Sequence, residues 1–251
     1  MGHERLGMLP KSKKWRSIVL ELATFDSGSI AEFDIAEQTL AALGPLYRDL
    51  ANDTSVRVAF SFLVELARST QSHGVSAPLA DKSPLELASE LAKRMRTTNG
   101  SLETRELVKR AAADAIAMWH RENSVEQSDL FPESASLSRW KELGSGAGFC
   151  EISRLYFAKL TERYLNYFLE REASAVIPDL GARERFQKRL YDHVSDISRH
   201  SFESAKITQS YAAGWFNKNA LKTLPSDAQT KRFLAYAFEK LREEFRREGE
   251  K

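Results

Sequence analysis

Asp192, Asp196, His200 and Glu203 are spaced three and four residues apart in a stretch that reads as helix. At roughly 100° per residue they fall within about 80° of arc. Carboxylates and an imidazole grouped in this way have the donors for a divalent cation. Asp192, Asp196 and His200 would then serve a metal-dependent hydrolase. The apolar stripe of the same stretch is Phe186, Leu190, Val194 and Ile197. Its centre lies roughly 100° away, so the acids equally describe the wet flank of a structural helix. Further ligands would have to come from another helix, and the sequence does not identify them. The single thiol, Cys150, follows Gly144, Gly146 and Gly148 at the start of another helical run. Free N–H groups there would suit phosphate, and a helix start lowers a thiol pKa. The lysine and hydroxyl of a phosphate loop are missing, however, and no strand precedes the glycines. A glycine hinge beside a buried thiol is the expectation.

A second acid–base arrangement is Arg68 and His73, with four residues between them. The guanidinium would stabilise phosphate charge and the imidazole would move a proton. This spacing resembles the signature of HEPN ribonucleases, small all-α domains of bacterial toxin and defence systems. The resemblance implies RNA cleavage, with the pair completed by a second subunit. The glycine at position 74 also suits His73 as a helix-end residue that caps carbonyls. A basic segment near the N-terminus, Lys11, Lys13, Lys14 and Arg16 around Trp15, combines phosphate contacts with an aromatic for stacking, as RNA or DNA binding needs. The plainer account is a first helix anchored by Trp15 and solvated by its lysines. Lys218, Lys222, Lys231 and Arg232 form a more diluted second basic group.

The bulk composition bounds these options. With 251 residues, 42% hydrophobic and 29% charged, the chain can bury a large core. A net charge of +2 creates no global field toward nucleic acid or an anionic surface. One cysteine leaves no intramolecular disulfide and no multi-thiolate zinc site, which fits a reducing cytoplasm. No apolar stretch reaches the roughly 20 residues of a membrane span, and the basic N-terminal stretch lacks the apolar core of a signal peptide.

The elements that would position these residues are helices. Lys13–Ala23, a helix from Ile30 stopped by Gly44-Pro45, a short segment to Leu50, and Ser55–Arg68 fill the first quarter. Ser83-Pro84 opens a helix to Met95, and Ser101 caps the next, through Trp119. Asn123–Glu133 reads as a polar linker, so the chain is either one helical domain over 1–251 or two halves, 1–125 and 134–251. After a short helix at Leu137–Leu143, Phe149–Ser174 carries Ile152, Tyr156, Leu160, Tyr164 and Tyr167 along one stripe, widened by Phe149, Phe157 and Phe168. Helices at 182–201, 205–220 and from Asp227 onward complete an all-α, non-repetitive bundle of about ten helices around a long aromatic-rich one.

Two segments, Gly2–Lys11 with Trp15-Arg16, and Arg163–Leu169, resemble uncharacterised helical proteins of bacterial phage-defence operons. That resemblance implies an accessory or sensor subunit acting with a protein partner from the same operon. No catalytic set and no cofactor emerges from the residues. The sequence therefore points to a non-enzymatic interaction subunit, with the ribonuclease and the metal hydrolase as alternatives.

Overall fold

The computed structural model describes residues 13–24, 31–71, 79–123, 140–177, 180–204 and 209–248. Among them there is helix and no strand. The elements are α1 (Lys13–Thr24), α2 (Ala31–Leu50), α3 (Thr54–Ser69), α4 (Pro84–Met95), α5 (Leu102–Glu122), a 3₁₀ turn (Lys141–Gly144), α6 (Gly146–Val176), α7 (Leu180–Ser204), α8 (Gln209–Asn219) and α9 (Asp227–Glu248).

Helix starts follow local chemistry. Asp53 accepts from the N–H groups of Ser55 and Val56 at 2.7 and 3.2 Å. Ser83 and Glu86 form a reciprocal capping box ahead of Pro84. Ser101 accepts from the Thr104 N–H at 3.0 Å and Ser145 from the Gly148 N–H at 2.9 Å. Ser226 and Gln229 cap α9 in the same reciprocal way. Each such cap stabilises its helix by about 1 kcal/mol.

The long helix α6 runs 31 residues, roughly 46 Å at 1.5 Å per residue. It packs along α5 and α7 and also meets α1, α3 and α8, while α9 lies on α2 and α4 on α5. Because neighbours surround it, its burial exceeds one stripe. Leu155, Leu165 and Leu169 are buried alongside Ile152, Tyr156, Leu160 and Tyr164. Aromatic rings fill the junction with α3, α8 and α9. Phe60 lies 4.9 Å from Phe233, 5.9 Å from Phe149, 6.2 Å from Tyr156 and Phe157, and 6.4 Å from Trp215, centroid to centroid.

Two expectations need correction. Gly44-Pro45 does not end the second helix, for α2 continues to Leu50. Proline removes one hydrogen bond, to the carbonyl four residues back. Here both Pro45 and Ala41 are exposed, so water can serve the freed carbonyl. Beyond the proline, Tyr47 is buried with its hydroxyl on Thr161 of α6, and this tertiary anchor carries the helix through. The glycine run is likewise no hinge. Gly146 and Gly148 form the first turn of α6, and a Cβ at Gly148 would overlap the Glu142 carbonyl. Glycine is needed there for close packing of the 3₁₀ turn.

Candidate functional site

The residues singled out from sequence do not converge. Asp192, Asp196 and Glu203 are exposed on α7, and Asp196 pairs with Arg199. The His200 side chain lies outside the described residues. No group of three or more His, Cys, Asp or Glu suited to a metal ion occurs among the described residues. Arg68 is half-buried in the last turn of α3, where its charge complements the helix dipole; His73 lies outside the described residues. Lys11 does as well, and for Lys13, Lys14, Trp15 and Arg16 only the helical backbone is described. Cys150 is buried and burial pushes its thiol pKa up, against a weaker opposing pull from Arg154. That is the condition of an unreactive cysteine.

A cleft of about 560 Å³ opens where α5, α6 and α7 meet, within the ordinary size range of binding pockets. Its geometry follows from small side chains. Ser198 of α7 donates to the Ala158 carbonyl of α6 at 3.1 Å, so the two helices touch at the floor. Larger side chains on either side then leave a trough. Met118, Leu155, Val194 and Phe202 give it an apolar bed. The Phe202 end is pinned by Arg154, whose guanidinium sits 3.9 Å over the ring and whose Nε donates to the Phe202 carbonyl at 3.3 Å. Tyr191 stands on the rim, 75% exposed.

Charge on the cleft is uneven. Lys159 is paired with Glu162 at 2.6 Å and Arg199 with Asp196. Glu122 and Glu151 also line the cleft, and neither has an ion-pair partner among the described residues. Two carboxylates without an ion pair among the described residues thus stand beside the apolar bed, with the Arg154 guanidinium at its Phe202 end. Sequence reasoning missed this arrangement because it depends on which helices meet. The one local signal was Tyr191, an aromatic one step off the apolar stripe of its helix.

The opposite flank of α6 has a different polar feature. Ser55 Oγ and Tyr156 OH are buried without a hydrogen-bond partner among the described residues. The Tyr156 and Tyr164 phenols interact electrostatically with Asp53 and with each other, and Tyr164 hydrogen-bonds Thr104. Burial chiefly pushes both phenol pKa values up, so the hydroxyls stay protonated. An unpaired buried hydroxyl costs about 1–3 kcal/mol.

On α7, His193 points away from the cleft toward α2, its Nε2 2.9 Å from Thr39 Oγ1. Burial holds its pKa down to about 4, with Asp196 pulling weakly the other way. A neutral histidine with a hydroxyl partner is a structural tie between α2 and α7. No protein family model matches the chain, and neither a curated protein nor a solved structure matches it.

Proposed function

We propose that the chain is a non-enzymatic interaction subunit that receives a segment of a partner protein in the α5–α6–α7 cleft. The observation that carries this reading is the apolar bed beside Glu122 and Glu151, neither of them ion-paired among the described residues, with Tyr191 exposed on the rim. Tyrosines so placed are frequent anchors of binding energy. Unpaired carboxylates select a cationic partner and speed its approach. The occupant is therefore a basic amphipathic helix, its apolar residues at three- and four-residue spacing and its Lys or Arg flank toward Glu122 and Glu151. The resemblance to phage-defence proteins supports the further proposal that this partner is the product of a neighbouring gene, in a bacterial, cytoplasmic, antiviral setting.

Placing a photo-crosslinking residue at Ser195, on the cleft wall, tests this in the native cell, with Ser89 on the exposed side of α4 as control. An adduct specific to the Ser195 position should map to one basic, apolar-patterned segment. No adduct beyond the control, or an adduct on an acidic segment, would refute the reading.

A further inference from the structure

A smaller recess of about 250 Å³ lies between the end of α4 and the start of α5. It is clear of the cleft, because Leu102 here and Met118 there stand roughly 24 Å apart along α5 at 1.5 Å per residue. Its apolar atoms come from Ala92, Met95 and Leu102. Met95 is buried, whereas Leu102 is 65% exposed. Three cations, Arg96, Arg105 and Lys109, face one acid, Glu106. Lys109 Nζ donates to Glu106 at 2.6 Å, so that pair cancels. Arg96 is exposed, and neither it nor Arg105 has an ion-pair partner among the described residues. Arg105 is nevertheless held in place, for its Nη1 donates to the Arg96 and Thr98 carbonyls, each at 3.3 Å. Its Nε and Nη2 donate to no described residue.

We infer that this recess docks an acidic segment of a partner protein: an Asp or Glu side chain enters between Arg96 and Arg105, and a neighbouring apolar residue of the partner covers Leu102. A guanidinium fork matches a carboxylate at two points. Arg105 is already fixed by the two carbonyls, so less side-chain freedom is lost when the carboxylate arrives. The positive end of the α5 dipole adds charge of the same sign. The volume falls below the roughly 300–1,000 Å³ of pockets that enclose a whole small molecule, and suits one inserted group. Protein is favoured over nucleic acid by the lining. Grooves for single strands join cations to aromatic rings on which bases stack. Here no Trp, Tyr or Phe lines the recess among the described residues, and the exposed apolar side chain is a leucine. The charge is opposite to that of the cleft, so the segment it takes is a different one, and this site does not depend on the cleft being occupied.

A displayed library of random short peptides, selected on the full chain and counter-selected on the Arg96→Glu, Leu102→Glu variant, tests the inference. Both substituted side chains are exposed, so the variant should melt with the parent protein. The enriched peptides should carry Asp or Glu beside Leu, Ile or Phe. One of them, synthesised and titrated, should bind the parent at least tenfold more tightly than the double variant. Arg96→Gln alone, which removes only the charge, should weaken it at least threefold. The same peptide should bind the Glu122→Lys, Glu151→Lys variant as it binds the parent, which separates this site from the cleft. No enrichment, enrichment of peptides without an acid, or equal affinity for parent and Arg96→Gln would overturn the inference. So would tighter, Arg96-dependent binding of a single-stranded RNA oligonucleotide, which would make the recess a nucleic-acid site.

Discussion

Helix α6 meets its neighbours in two contrasting ways. Toward α3, α8 and α9 it presents Phe149, Tyr156 and Phe157 to the ring of Phe60, and the Tyr156 and Ser55 hydroxyls there are sealed from solvent. Toward α5 and α7 it presents Leu155 and Ala158 flanked by Glu151, Lys159 and Glu162, and the packing opens into a cleft. Both faces are rich in apolar area, yet only the second keeps charge in reach of water. The open flank is where we propose that a partner binds, and the ring junction holds that flank in place.

The contrast fails if the two faces respond alike to substitution. Phe60→Ala should destabilise most, by about 3–5 kcal/mol, because it empties a space enclosed by five rings. Chemical denaturation reads this directly, and a loss under 1 kcal/mol would contradict the role given to that junction.

Acid acts next, through His193. Its folded pKa of about 4 lies below the ordinary value of 6.5, so the unfolded chain binds the extra proton between those values. Stability contributed by the neutral ring is complete above pH 6.5 and is lost as pH falls toward 4, by up to about 3 kcal/mol. Denaturation midpoints of the parent protein should fall faster than those of His193→Gln across that window. Parallel curves would remove His193 as the α2–α7 tie.

The smallest stability effect belongs to the cleft. Tyr191→Ala, or Glu122→Lys with Glu151→Lys, should shift stability by no more than about 0.5 kcal/mol, as surface changes do. A larger loss would mean that these side chains serve the fold.

The sequence made the helical class readable, since caps such as Ser83 and Ser101 and the spacing of Ile152, Tyr156 and Leu160 are local signals. Continuation of α2 through Pro45 was not readable, because the hydroxyl pair Tyr47–Thr161 that secures it spans 114 positions. The glycines before Phe149 suggested a hinge, whereas packing against the Glu142 carbonyl decides their role. The cleft was hidden for the same reason. Glu122 and Glu151 look like ordinary surface acids until α5 and α6 are placed side by side. Asp192 and Asp196 drew attention by spacing alone, and they lie on the solvent side of α7.

The most direct measurement takes the segment captured from Ser195, synthesises it as a peptide, and titrates it into the parent protein and into the Glu122→Lys, Glu151→Lys variant at low and high salt. The account predicts saturable one-to-one binding to the parent, weakened by salt and reduced at least tenfold by charge reversal, with the fold intact. Equal affinity for parent and variant, independent of salt, would contradict it.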